Sequence, residues 1–479
     1  MYLLYSLLTG LALILTLPYW LLKGLRQGKY LHSLGERLGA LPDSLRARVK
    51  SRAGLLWIHA VSVGEVLAAA PLVKALKQKY PGRPLVVSTT TKTGQHLARE
   101  RLPFSDGFFY FPLDWTFCVR RVFRVLKPSA VIVLETEMWP NFLRVCRERG
   151  APVFLVNGRI SPRSFARYQG WLRVLGPILR PFLRRVLGDV RQFMMQTQED
   201  AERILALGAA SERLSVTGNL KYDQEIPAKT PIVHWLGEHA QNRARRPVIV
   251  AGSVVAGEER LVLQAFERVR AKWPQALLIL APRKAERFEA AAGCVGEFGL
   301  KFVRRSKLRV PAAADRAPED GGSAISDETT VLLLDSIGEL GGLYRIADTV
   351  FIGGSLVPSG GHNPLEAAVF GKAPVFGPFT ENFREITASL IAAEAAIGVR
   401  DGEDLATRWL ELLADEARRK ALGARAQAVV EKNRGAVAKT LASVCAVADE
   451  SSGTEAGEEA NELLSQGTVT NARAARSRE

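Results

Sequence analysis

Along this chain, short runs of Val, Ile, Leu and Phe alternate with longer stretches whose apolar residues recur at helical spacing. Strand-like runs lie at 55–60 (LLWIHA), 84–90 (PLVVSTT), 108–111 (FFYF), 130–135 (AVIVLE), 152–158 (PVFLVNG), 192–197 (QFMMQT) and 214–219 (LSVTGN). Between them come helix-like patterns such as EVLAAAPLVKAL and PNFLRVCRERG. This alternation predicts βαβ units and a parallel sheet. From Pro227 to Arg246 the pattern gives way to prolines and charge, which predicts an interdomain connection. Alternation restarts at 247–253, 276–284, 330–335, 348–355 and 373–378. An Ala/Pro/Asp/Gly-rich loop is expected from Val310 to Glu328, and a disordered polar tail from Asp449. The expectation is two doubly wound α/β domains, 31–228 and 229–448, with their strand carboxyl ends around a shared cleft. A membrane anchor at 1–30 would precede them, and the tail at 449–479 would follow.

The anchor is read from Leu3 to Leu22, a stretch without charge. About 20 apolar residues suffice to cross the hydrocarbon core of a bilayer. Tyr19 and Trp20 fall where an interfacial aromatic belt would lie, and Lys23, Arg26 and Lys29 follow. A cleaved leader would carry its positive charge first and end in small residues, and this stretch does neither. Cations on the far flank predict that the body of the chain stays on the cytoplasmic side. Pro18 leaves a segment lying in one leaflet as an alternative to a span.

Composition adds one unusual feature. Of 479 residues, 47% are hydrophobic and 24% charged, as in ordinary globular proteins, but the formal net charge is +16. Such a chain seeks nucleic acid, anionic lipid or small anionic substrates. The four cysteines, Cys118, Cys146, Cys294 and Cys445, are scattered without metal-ligand spacing, so neither a zinc site nor a disulfide framework is indicated.

The candidate chemistry clusters at strand ends. In HAVSVGEVLAAAPL, His59–Leu72, Glu65 stands at a strand-to-helix turn. An acid there complements the helix dipole, and it also faces the place where ligands bind in open α/β sheets. TTTKTGQ (89–95) supplies hydroxyls, ETEMWPN (135–141) brings Glu135 and Glu137, and TGNLKYD (217–223) brings Lys221. Three carboxylates and a lysine suit a base with its orienting partners. In the second half, LAPRK puts Arg283 past a strand end, where a guanidinium can fork onto phosphate. DSIGELGG places Gly338 and Glu339 at another turn. In GGSLVPSGGHNPLEAAVFGKAPVFGP, Asn363 is a good N-cap and Pro364 suits a first helical turn. The N–H groups beyond it would bind an anion, and Glu366 would accept sugar hydroxyls. Neither half has G-x-G-x-x-G after its first strand, and no G-x-x-x-x-G-K-[ST] occurs, so dinucleotide and P-loop chemistry are not supported.

These motifs, in this order, resemble the bacterial 3-deoxy-D-manno-octulosonic acid (Kdo) transferase family, from the apolar segment to about residue 445. The resemblance implies a GT-B glycosyltransferase at the cytoplasmic face of the inner membrane. It would move Kdo from CMP-Kdo to the lipid A precursor of lipopolysaccharide with inversion, and without a metal or other cofactor. It implies Glu65 as base and Glu135 and Lys221 as transition-state helpers. CMP contacts would come from Pro282 and Arg283, from Ile337, Gly338 and Glu339, and from Asn363, Pro364, Leu365 and Glu366. Pro358 and Ser359 depart from the bulkier charged residues expected in that loop, and the tail extends past the family's end. The partners implied are CMP-Kdo, the lipid A precursor and anionic lipid of the inner membrane, with no nucleic acid.

Two other readings remain at this stage. One is a GT-B enzyme acting on a UDP-sugar, as transferase or epimerase. The other is a membrane-tethered protein that holds anionic lipid without chemistry, against which the clustered carboxylates count.

Overall fold

A computed structural model describes residues 1–27, 33–50, 54–224, 227, 230–242, 246–308, 310, 325–326 and 328–447, without side chains for 17–27 and 238–242. The expected tail, most of the loop at 310–328, Lys29 and the side chains of Tyr19, Trp20, Lys23 and Arg26 lie outside the described residues. The chain divides into two units. One is Met1–Gln224 together with the chain from Arg434, and the other is Glu225–Asn433.

The first unit holds a parallel sheet of β1 (Leu56–His59), β2 (Leu85–Thr89), β3 (Gly107–Tyr110), β4 (Ala130–Leu134), β5 (Val153–Gly158), β6 (Gln192–Met195) and β7 (Leu214–Val216). Their order in space is β3-β2-β1-β4-β5-β6-β7. The order reverses between β1 and β4, which is the switch point where such sheets bind ligands. Both faces are covered. Leu56 and Ile58 enter one core, while Leu55 and Trp57 enter the other. Period-two alternation therefore reads as a continuous apolar run. Trp57 sits among Phe109, Phe111, Phe123 and Phe142, with ring centroids 5.0 to 6.1 Å away, and its Nε1–H donates to Ser88 Oγ at 2.8 Å.

The second unit repeats the plan with β8 (Val248–Val254), β9 (Leu277–Pro282), β10 (Phe302–Arg304), β11 (Val331–Leu333), β12 (Thr349–Ile352), β13 (Pro374–Phe376) and β14 (Ile397–Gly398). The spatial order is β10-β11-β9-β8-β12-β13-β14, with every pairing parallel. Its core is built on Phe266, Phe351 and Trp409, all buried.

Three features differ from the sequence expectation. The expected connection at 227–246 contains the helix Pro231–Asn242, whose Ile232, Val233 and Leu236 are buried. Pro231 starts that helix rather than breaking it, as suits a first-turn proline. The chain from Arg434 belongs with the first unit rather than with 229–433. Ala436 and Val444 are buried in the first unit's core, and Asp223 accepts N–H bonds from Gly435 and Val437.

The third difference concerns the expected membrane span. Tyr2–Gln27 is one helix, but among the described residues no helix is long and apolar enough to cross a membrane. The helix is inside-out. Leu3, Leu4, Leu7, Leu8, Leu11, Ile14 and Leu15 are exposed, while Tyr2, Tyr5, Ser6 and Thr9 turn toward the protein. Tyr2 donates to Asp189 Oδ2 at 2.7 Å, Asn141 Nδ2 donates to Ser6 Oγ at 2.9 Å, and Phe182 packs edge-on to Tyr2. The helix is thus part of the first unit as well as an apolar appendage. Deleting residues 1–22 leaves Asp189 with Arg147 as ion-pair partner but removes these bonds. We expect a loss of about 1–3 kcal/mol, read as a lower melting temperature in one detergent for the truncated chain. Equal melting temperatures would show that the docking contributes nothing.

Candidate active site

The lip between β1 and the helix Val63–Lys79 is organised by its own sequence. Ser62 is the N-cap, and Ser62-Val63-Gly64-Glu65 has capping-box spacing. Glu65 N–H reaches Ser62 Oγ at 3.4 Å, Ser62 Oγ donates to Glu65 Oε1 at 2.9 Å, and Val61 N–H donates to Oε2 at 2.7 Å. The carboxylate is 6% exposed. Capping and chemistry are therefore not rivals here, because the cap is what aims the group.

Burial pushes Glu65 up to about 7, the charge of Glu135 adds to the rise, and the Val61 and Ser62 bonds oppose it. Glu137 is raised as well, mainly by burial, with Trp139 Nε1–H holding its Oε2 at 2.9 Å. Glu65, Glu135 and Glu137 thus form one electrostatic cluster. Glu135 follows β4 with φ of +55°, and its N–H bonds Val156 O at 2.9 Å. A non-glycine residue in that region is strained and persists only where its surroundings fix it.

Lys221 lies after β7, at the edge of the sheet, yet its segment folds back. Leu220 N–H donates to Asn157 Oδ1 at 3.0 Å, Asn219 Nδ2 donates to Gln196 Oε1 at 2.8 Å, and Leu220–Asp223 packs on the helix of Glu65. Asn157, at φ +56° near the end of β5, holds the Lys221 segment in place, and periodicity could not flag it. His59 heads the opening motif but is no base. It is fully buried, stacked on Phe111 at 3.8 Å and bonded to Ser88 Oγ at 3.0 Å, and burial lowers it to about 3.

In the second unit, Pro282 ends β9 and Arg283 is exposed beyond it, its N–H on Val254 O at 2.8 Å. Ile337 is 75% exposed and Gly338 has φ of +93°. Glu339 is engaged by Arg305 at 2.8 Å, a partner that the sequence reading missed. Asn363 Oδ1 accepts Leu365 N–H at 3.1 Å, but the N-cap position itself is held by Pro364 rather than by Asn363 as expected. The helix behind it is a single turn, Leu365–Ala368, and the N–H groups of Ala367 and Ala368 already bond Pro364 O. The expected row of free N–H donors is thereby corrected. Glu366 sits in that turn. His362, inside the motif but not singled out by it, is lowered to about 4 by burial and then by the charge of Arg283, so it is neutral near pH 7.

Two doubly wound units with acids at the strand ends of one and a cation beside a capped turn in the other define an α/β enzyme of the GT-B-like kind. A putative UDP-N-acetylglucosamine 2-epimerase from Listeria monocytogenes shares this fold, with a TM-score of 0.50 and 14% identity over 84% of this chain and 98% of that one. Residues 32–224 match the family described as 3-Deoxy-D-manno-octulosonic-acid transferase (kdotransferase). The 3-deoxy-D-manno-octulosonic acid transferase of Haemophilus influenzae is 35% identical over 393 residues, 81% of this chain and 85% of the relative. That of Bordetella pertussis is 34% identical, over 81% and 86%. The solved C-terminal CMP-Kdo binding domain of WaaA from Acinetobacter baumannii is 30% identical, with a TM-score of 0.37, over 41% of this chain and 97% of that one. The chain belongs to the 3-deoxy-D-manno-octulosonic acid transferase family.

Because Glu65 is raised in the folded protein, the stabilisation from keeping it protonated is present at low pH and is lost as pH rises through about 7. The same ionisation creates a base. Turnover should therefore rise with pH through an apparent value near 7 that belongs to the carboxylate cluster. Glu135→Gln removes a neighbouring negative charge and should move that limb to lower pH. A limb that stays put in the pH–rate profile would detach Glu135 from Glu65.

Proposed function

We propose that the chain is an inverting Kdo transferase that uses CMP-Kdo as donor and the lipid A precursor as acceptor, in lipopolysaccharide biosynthesis. The observation that carries the catalytic assignment is Glu65, a nearly buried carboxylate raised to about 7 and aimed by Val61 and Ser62. In this reading Glu65 takes the proton of the acceptor's 6′-hydroxyl. That oxygen forms the new bond to the anomeric carbon of Kdo as the bond from that carbon to the CMP phosphate oxygen breaks. The electron pair leaves on the phosphate, where Arg283 supplies a cation. Glu135 and Lys221 stabilise the oxocarbenium-like state from the first unit. Glu65→Gln keeps size and hydrogen-bonding reach but cannot act as base. We expect a loss of about 10²- to 10⁴-fold in turnover, with CMP affinity unchanged because the CMP residues belong to the second unit. Turnover with CMP-Kdo and lipid acceptor, together with calorimetric CMP binding, checks both. Near-normal turnover would leave Glu65 as a cap alone.

The body is proposed to sit on the cytoplasmic face of the inner membrane, held by the inside-out N-terminal helix. Its exposed leucines are unfavourable in water and suited to acyl chains. Thr9 and Thr16 satisfy their hydroxyls on the backbone carbonyls of Tyr5 and Ala12, as an apolar medium demands. The helix Pro162–Gly188 extends the surface. Trp171, Val174, Leu175 and Ile178 are exposed on it alongside Arg163, Arg167, Arg173 and Arg180, and it contains no acid. Such a mixture suits anionic headgroups above acyl chains. The doubly substituted Leu7→Ser/Leu11→Ser chain keeps Tyr2 and Ser6. It should float with phosphatidylglycerol vesicles at least about tenfold more weakly while binding CMP normally. Unchanged flotation would remove the helix from the membrane contact.

A further inference from the structure

The second unit contains a carboxylate that the reaction does not use. Glu258 opens the helix Glu258–Lys272 after β8 and is completely buried. Its Oε2 accepts from Val255 N–H at 3.1 Å and from Gly354 N–H at 2.6 Å, and its Oε1 accepts from Ser355 and Leu356 N–H, both at 2.8 Å. Four backbone donors thus converge on one side chain, three of them from a loop almost a hundred residues further on.

Both loops so joined lead to the donor residues. Val255 adjoins Val254, whose carbonyl accepts the N–H of Arg283. On the other side, Gly354 O accepts Gly361 N–H at 2.7 Å and Gly353 O accepts His362 N–H at 3.1 Å. The segment clasped by Glu258 therefore sets the position of Gly361 and His362, and directly after them come Asn363 and its capped turn. The fit leaves no slack. A Cβ on Gly353 would lie 2.4 Å from Ser253 O, and one on Gly354, at φ +71°, would lie 2.8 Å from the His362 ring. Neighbouring Glu259 provides a contrast. It is 3% exposed, but it holds Gly257 N–H of the same turn at 2.9 Å and Arg287 at 2.7 Å rather than the loop after β12.

We propose that Glu258 is a positioning residue for the donor: by clasping the loop after β12 to the turn after β8, it fixes Arg283 and Asn363–Glu366 relative to each other. Nucleotide affinity then depends on a side chain that touches no nucleotide. This rests on the assignment of those residues to CMP.

The test is calorimetric titration of the full chain in detergent with CMP, alongside melting temperatures and acceptor KM. In Glu258→Gln, an amide NH2 must face N–H donors. CMP should bind about tenfold or more weakly, with acceptor KM unchanged. Glu259→Gln should lower the melting temperature but leave CMP affinity within about twofold. If the two variants lose CMP affinity equally, or neither loses it, Glu258 is merely structural and the proposal fails. Should Glu258→Gln yield no folded protein, Gly354→Ala decides, because it displaces the same loop with Glu258 intact. Normal CMP affinity in Gly354→Ala would overturn the proposal, and weakened affinity at a near-normal melting temperature would support it. Wild-type chain that fails to bind CMP would overturn the donor assignment itself, and with it the role given to Glu258. Wild-type binding that is lost in Arg283→Ala but kept in Glu258→Gln would overturn only the latter.

Discussion

A parallel sheet buried on both faces leaves polar groups almost nowhere to stand except beyond its strand ends, and this constraint orders the whole molecule. β1, β2, β4, β5, β9 and β12 are buried at every position. A charge inside either core would go without partners at a cost of several kcal/mol. The chemistry is therefore displaced to the carboxyl-end turns, and so is the backbone strain. Among the described residues, five non-glycines have positive φ, and three of them, Glu135, Asn157 and Ser253, fall at the ends of β4, β5 and β8. Those ends flank the central switch of each sheet, where backbone must bend sharply to present side chains.

The two units solve the first strand-to-helix turn with the same dipeptide and opposite outcomes. Gly64-Glu65 follows β1 and Gly257-Glu258 follows β8. Glu65 receives one N–H and one hydroxyl, and burial, helped by the charge of Glu135, raises it to about 7. Glu258 receives four N–H donors and is closed to anything else. The two carboxylates thus differ in how many donors are aimed at them, two at Glu65 and four at Glu258.

Most of the sheets could be read from hydrophobic runs because buried parallel strands are continuous apolar segments. β10 and β14 could not. β10 is three residues ending in Arg304 and followed by Arg305, and β14 is two residues at an edge, each too short to carry periodicity. The helix Pro231–Asn242 was hidden by its flanking prolines, and the return of the chain at Arg434 had no local signal, since it depends on Asp223 capping a distant segment. The candidate residues at strand ends could be picked out by position. Their partners could not: Arg305 on Glu339, Asn157 under Leu220 and the four donors of Glu258 are all distant in sequence. The N-terminal helix shows the sharpest limit. Its apolar count was plain, but which side faces protein depends on Asp189 and Asn141, far along the chain.

Those same bonds tie the apolar helix to the loop that bears Glu135 and Glu137. Asp114 accepts N–H bonds from Asn141 at 3.1 Å and Phe142 at 2.7 Å, capping the helix Pro140–Glu148, and burial raises this carboxyl to about 7. Asn141 Nδ2 bridges from Asp114 O to Ser6 of the N-terminal helix. Immediately before Pro140 stand Trp139 and Glu137, joined at 2.9 Å, and then Glu135. A shift of the N-terminal helix must therefore strain Asn141 before it reaches solvent, and Asn141 lies at the start of the helix that ends that loop. Dense packing transmits such displacements rather than absorbing them. The surface proposed to meet lipid and the carboxylates proposed to meet its headgroup sugar are in this way joined by one short stretch of chain, Glu135 to Asn141, with Asn141 bonded to Ser6 at one end of it.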